Sequence, residues 1–371
     1  MIYLDYNATA PIRPAVIARV AEVMGTVGNA SSVHAAGRAA REIVEDARAE
    51  VAALVGAKPD GVILLSGGTE ANNLALKGVG KRRLMVAGTE HGAVLAPTLL
   101  LDGQAVLLPV DGDGRLDLDA LDKALSAEDG PALVSVMLAN NETGVLQPVA
   151  EIAEIAHRHG ALFHCDAVQA AGKVPVDMAA LGIDMLSLSA HKIGGPQGIG
   201  ALVLNGDIQL DSQIVGGGQE QGRRSGTENV AGAAGYGVAA KEAREGLAKY
   251  AELGRLRDDM ERRLRQVTNG LVVHGAGAPR LPNTSCLSMP GVSSETQVIA
   301  FDLAGIAISA GSACSSGKVH ASHVLEAMAV PEETATSAIR VSMGWNTEPG
   351  DIDRLVEVWT DIYRRGQRSA A

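Results

Sequence analysis

The chain is poor in cysteine, in aromatics and in positive charge. Only Cys165, Cys286 and Cys314 occur in 371 residues. An odd number without a C-x-x-C pair excludes a disulfide framework and a four-cysteine zinc site within one chain. No metal site is expected, and thiols used this way suit a reducing cytoplasm. Phe, Trp and Tyr together make up 2%, which leaves little for base stacking. The net charge of −11 disfavours a grip on phosphates, so neither nucleic acid nor an anionic membrane is an expected partner. No apolar run approaches the roughly 20 residues of a membrane helix. The longest, such as 132–139, have strand length. The opening MIYLDYNATAPIRP lacks a basic region followed by an apolar one, so no signal peptide is expected. Repeats and low-complexity tracts are also missing.

Hydrophobic residues, by contrast, make up 46% and charged residues 20%, enough apolar material for a large core. Apolar runs at 62–65, 84–87, 105–110, 133–138, 162–165, 185–188 and 200–204 alternate with helix-like stretches at 69–78, 118–125 and 149–159. The runs show little polar alternation, as buried strands should. This predicts an α/β/α domain with a mostly parallel sheet. Amphipathic stretches at 15–24 and 37–54 precede it, and a long charged helix at 242–267 follows. Strands at 284–289, 306–309 and 338–342, with helices at 295–303 and 352–364, predict a smaller C-terminal α+β domain. The expected division is 14–249 for the large domain and 250–371, with 1–13, for the small one.

The 44 glycines cluster, as they do at turns and where backbone approaches a ligand. Two phosphate motifs fail on spacing. Gly311 to Lys318 has one residue too many for a P-loop, and Val319 stands where Ser or Thr is needed. Gly194 to Gly200 precedes a strand and lacks the dinucleotide spacing. Ser66-Gly67-Gly68-Thr69-Glu70 is a better anion site, because it follows a predicted strand and opens a helix. Alone it reads better as a plain turn with an N-cap threonine.

Asp166 ends one predicted strand, and Lys192 ends the next. Alone, the first is a loop cap and the second a surface lysine. Together they can face one crevice beside the Gly67–Gly68–Thr69 turn. An amine, a carboxylate and a phosphate site are what pyridoxal 5′-phosphate (PLP) requires. His91, just past a strand, could reach the same crevice, as could the amides of Asn140 and Asn141.

The stretches YLDYNATAP (3–11), SGGTEANNLA (66–75), TEHGAV (89–94), NNETG (140–144), HCDAVQ (164–169), SLSAHK (187–192), GGGQEQGRRSGTENVAG (216–232), SAGSACSSG (309–317) and AIRVSMG (338–344) resemble the cysteine desulfurases of PLP-dependent fold-type I. Within these enzymes the chain is similar to the nitrogen-fixation and iron–sulfur-cluster group. The resemblance implies roles by position. Lys192 would bond the cofactor and later move the substrate Cα proton. Asp166 would pair with the pyridinium nitrogen and Gln169 with the ring hydroxyl. His91 would stack on the ring. Gly68, Thr69, Ser189 and His191 would hold the phosphate, with Thr227 arriving from the other subunit of a homodimer. Asn141 and Arg340 would bind the carboxylate of L-cysteine. Cys314, on a loop of the small domain, would take the sulfur as a persulfide and pass it to an acceptor such as an iron–sulfur scaffold protein. A selenocysteine lyase, a related aminotransferase and a non-catalytic sulfur carrier are the competing readings. Cys314 argues against a transaminase, and Lys192, Asp166 and His91 argue against a dead scaffold.

Overall fold

The computed structural model describes residues 1–99, 105–128, 130–310 and 322–370. A short strand, β1 (Ile2–Tyr3), precedes helices α1 (Pro14–Met24) and α2 (Ala35–Leu54). Pro14 opens α1 where a backbone N–H would lack a helical partner anyway. The His34 side chain caps α2 by accepting from Gly37 N. Along α2, Ala40, Val44, Ala47 and Val51 turn one face inward.

The layered part follows as β2 (Val62–Leu65), α3 (Gly68–Gly78), β3 (Arg83–Ala87), α4 (Gly92–Leu99), β4 (Ala105–Leu108), α5 (Leu118–Ser126), β5 (Ala132–Ser135), α6 (Val149–Arg158), β6 (Leu162–Asp166), β7 (Met185–Ser189) and β8 (Gly200–Leu204). These strands form one seven-stranded sheet in the order β2-β8-β7-β6-β5-β3-β4. Only β8 runs against the rest. The mostly parallel α/β sheet is therefore as expected. The exception to the predicted burial is β4, whose Val106 and Leu107 are exposed because it forms the sheet's edge.

Helices α7 (Val230–Glu245) and α8 (Leu247–Val267) come next. The single helix predicted over 242–267 is thus two. Gly246 closes α7 by donating to the Glu242 and Arg244 carbonyls, and α8 starts from it. Beyond lie β9 (Val272–Val273), β10 (Thr284–Ser288), α9 (Ser294–Leu303), β11 (Ile306–Ala307), β12 (Ser309–Ala310), α10 (His323–Ala327), α11 (Glu332–Ala335), β13 (Ala338–Ser342) and α12 (Pro349–Ala370). A four-stranded antiparallel sheet has the order β12-β13-β10-β9. The strand predicted at 306–309 divides: β11 pairs with β1, and past Ile308 the chain pairs with β13. Leu287, Phe301, Ile339 and Trp359 pack with Met260 and Leu264 of α8 in a core distinct from the one around the large sheet. Asp5 bridges to Ser342, which carries residues 5–13 from the small sheet toward the large one.

Candidate active site

The strands that share one direction end at one edge of the large sheet, where open α/β sheets form their ligand crevice. β6 ends on Asp166. β7 ends on Ser189, and a tight turn (Ala190–Lys192) presents His191 and Lys192. The β2–α3 turn brings Gly68 and Thr69, and the segment after β3 brings His91. A cavity of about 340 Å³ gathers Gly68, Thr69, His91, Asn141, Asp166, Gln169, Ser189, His191, Lys192 and Arg340. Ten of the twelve residues expected from sequence thus line one space. Thr227 lines a separate cavity with Ser66 and Arg224. Cys314 lies outside the described residues.

Lys192 Nζ donates to the carbonyls of Asn7 at 2.5 Å and Ala8 at 2.9 Å. Burial and the Arg340 cation lower its pKa to about 8, against the opposing pull of Asp166 and Asp5. This amine therefore has an appreciable unprotonated fraction near neutral pH, as a nucleophile or base requires.

Asp166 accepts from Asn72 Nδ2 at 2.7 Å on one oxygen and from Val168 N at 3.0 Å on the other. The carboxylate is thereby fixed in plane. Below it, His164 spans the sheet between Ser135 Oγ and Ser187 Oγ, each at 2.8 Å. Burial lowers the His164 pKa to about 3, so the ring is neutral. His91 lies exposed at the cavity mouth. Desolvation by the surrounding protein is the main influence lowering its pKa, with Asp166 opposing and Lys192 and His323 reinforcing. Its Nδ1 accepts from Ala93 N at 3.0 Å, so the neutral ring carries its proton on Nε2.

The start of α3 has no side-chain cap. Glu70 instead reaches back to Ser66 N at 2.7 Å and pairs with Arg224 at 3.0 Å. The first-turn N–H groups are left for an anion. Close packing dictates glycine here: a Cβ on Gly200 would lie 2.7 Å from the backbone of Gly67. His191 Nδ1 is 3.2 Å from Thr9 Oγ1. Burial, then the Lys192 and Lys173 cations, lower its pKa to about 4.

Arg340 reaches out of β13 to Asp5 Oδ1 at 2.8 Å and to the Asn141 carbonyl at 3.0 Å. Among the described residues its Nε is buried without a partner, as is Asn72 Oδ1. Sequence reasoning missed three residues. Asn7 is a hub: its backbone carbonyl accepts from Gln169 and Lys192, and its side chain binds Thr284, Lys173 and Asn283. Asn72 orients Asp166, and Lys173 contacts Gln169. Asn7 and Asn72 lay inside the motifs YLDYNATAP and SGGTEANNLA, and that was their only signal.

These residues fit PLP. An amine of lowered pKa, a carboxylate and the uncapped N-terminus of α3 line one cavity with the Arg340 guanidinium, the set of groups that PLP chemistry requires. The family model for aminotransferase class-V matches residues 2–355. The chain is 45% identical to a cysteine desulfurase of Cereibacter sphaeroides, covering 97% of this chain and 95% of that protein. It is 40% identical to an IscS-like cysteine desulfurase of Mycobacterium tuberculosis, over 100% and 98%. A NifS-like protein from Rickettsia africae superposes with a TM-score of 0.92 at 35% identity, covering 98% of this chain and 99% of that one. The chain belongs to the class-V aminotransferase family. It has the PLP-dependent fold-type I architecture, and PLP is its cofactor.

Proposed function

We propose that this protein is a cysteine desulfurase, which converts L-cysteine to L-alanine and holds the sulfur as a persulfide on Cys314. The observation that carries the reading is the single cavity holding Lys192, Asp166, His91 and Arg340, in a chain similar over nearly its whole length to proteins of that name. Bound PLP supplies an aldehyde that captures amines and a ring that draws electrons from the carbon they carry. Lys192 would hold the cofactor through its Nζ, and the same amine, when free, would move the substrate Cα proton. Asp166 keeps the ring nitrogen protonated, with its carboxylate plane set by Asn72 and Val168. Gln169 would donate to the ring hydroxyl, and His91 would lie against the ring. Gly68, Thr69, Ser189 and His191 bind the phosphate. Arg340 and Asn141 bind the substrate carboxylate, for which Arg340 Nε is available.

The Cys314 thiolate then attacks the substrate sulfur. An S–S bond forms, the substrate C–S bond breaks, and the carbon gains a proton to become the methyl group of alanine. A free thiol of pKa about 8.5 is only about 3% thiolate at pH 7, so this step requires local help for Cys314. Cys165 and Cys286 are buried, with thiol pKa values raised by desolvation, which suits packing residues.

On this reading residues 14–249 bind the cofactor, and residues 250–371 with 1–13 form the part that carries Cys314. The protein works in the cytoplasm as a homodimer, with Thr227 completing the partner's phosphate site, and hands sulfur to an acceptor such as an iron–sulfur scaffold. No helix among the described residues is long and apolar enough to cross a membrane. The test is product analysis with L-cysteine and L-selenocysteine: alanine and persulfide from cysteine support the reading. Turnover of selenocysteine alone identifies a lyase, and amino transfer to a keto acid identifies an aminotransferase. Thr227→Ala should lose PLP faster on dialysis while remaining dimeric in sedimentation.

A further inference from the structure

Lys173 is 2% exposed and among the described residues forms no ion pair. Its amine donates to Asn7 Oδ1 at 2.8 Å and to Gln169 Oε1 at 2.6 Å, two neutral amides. Burying an amine against neutral partners is costly compared with an apolar side chain of similar shape. Burial, followed by the Lys192 and Arg340 cations, pushes its pKa well below the ordinary lysine value. Charged or neutral, the amine has protons for both acceptors.

The local chain places it deliberately. After Asp166 a tight turn runs through Ala170, and Gly172 follows at φ +72, where a Cβ would meet Ala243 Cβ at 2.8 Å. That turn puts Gln169 and Lys173 on the same side, four residues apart. The Gln169 amide then has one orientation. Its oxygen takes the Lys173 proton, and its Nε2 donates one proton to the Asn7 carbonyl at 2.8 Å. Lys192 Nζ donates to the same carbonyl, so the Gln169 N–H edge is the edge beside Lys192, at the cavity. A flipped amide would set its oxygen against the Asn7 carbonyl, acceptor against acceptor, and would leave a Lys173 N–H without its acceptor.

We propose that Lys173 is a positioning residue for the cofactor: it locks the Gln169 amide with its N–H edge toward the cavity, where it donates to the PLP ring hydroxyl. The inference rests on the assignment of Gln169 to that hydroxyl in the proposed function. Donors to the ionised oxygen favour its anionic form. Losing the donor leaves that oxygen more basic, which holds the proton it shares with the linking nitrogen more tightly.

The test is a pH titration of the visible absorbance of the holoenzyme. Lys173→Met and Gln169→Leu should each raise the midpoint by about one pH unit, the scale of a hydrogen bond to a charged group. The double variant should shift no further than Gln169→Leu, and Lys173→Arg should restore the wild-type midpoint. Cofactor-free melting curves check folding. If Lys173→Met does not fold, Lys173→Gln takes its place, with a smaller rise expected because its NH₂ has the two protons but reaches one atom less far toward the two acceptors. An unchanged midpoint in a folded Lys173 variant, or additive shifts in the double variant, would overturn the inference. No effect of Gln169→Leu would overturn the Gln169 assignment, and with it the route proposed for Lys173. A wild type with no visible band would overturn the cofactor assignment itself.

Discussion

Asn72 donates from Nδ2 to Asp166 Oδ2 at 2.7 Å, and both side chains are buried. The amide of the first turns of α3 thus orients the carboxylate that ends β6, joining two walls of the cavity. A hydrogen bond to a charged group contributes about 1.5–3 kcal/mol. Asn72→Ala should therefore lower kcat by roughly tenfold or more. Asp166→Ala removes the charge itself and should cost about 3–5 kcal/mol for a desolvated pair, while Asp166→Glu should retain much more activity. Steady-state kinetics on the PLP-saturated variants checks the order: wild type, Asn72→Ala, Asp166→Ala. Near-normal turnover in Asp166→Ala would reduce Asp166 to a loop cap.

Cofactor loading should report the Lys192 amine. With a pKa of about 8, the reactive neutral fraction is about a tenth at pH 7 and half at pH 8. The initial rate at which cofactor-free protein develops its absorbance with PLP should rise about tenfold per pH unit, then level near pH 8. Arg340 lowers this pKa, so Arg340→Met should move the levelling point upward. A rate still climbing toward pH 10 in the wild type would contradict the assignment.

His164 links the site's support to acid stability. Its folded pKa is near 3, against 6.5 as the ordinary value. The unfolded chain therefore binds a proton that the folded one refuses, and stability present above about 6.5 is lost as pH falls toward 3. Denaturant unfolding should show a shallower acid loss in His164→Asn than in the wild type between pH 6.5 and 4. Equal slopes would mean that His164 titrates normally in the folded protein.

Much of this was legible in the chain. Asp166 at the end of β6, Lys192 three residues past the end of β7, where a strand end was expected, and the Gly67–Gly68–Thr69 turn are local signals, and all of them converge on the cavity. The break at Gly246 was hidden because the residue keeps a right-handed helical backbone, φ −86 and ψ −1, between two good helical sequences. The division of 306–309 was hidden because strand partners come from distant chain: Ile2 for Ile306 and Arg340 for Ser309. Asn7 could not be weighed for the same reason. Its partners at Asn141, Gln169, Lys173 and Asn283 are far away in sequence, and an asparagine in a loop carries no mark of what will surround it.

The most direct measurement of the central claim is peptide mass spectrometry after brief exposure of the holoenzyme to L-cysteine. The account predicts one added sulfur on the peptide containing Cys314, with alanine released in step. Cys314→Ser should still bind PLP and change its spectrum with cysteine while releasing almost no alanine, and Cys165→Ala and Cys286→Ala should turn over nearly as the wild type does. Sulfur found on Cys165 or Cys286, or normal turnover by Cys314→Ser, would contradict it.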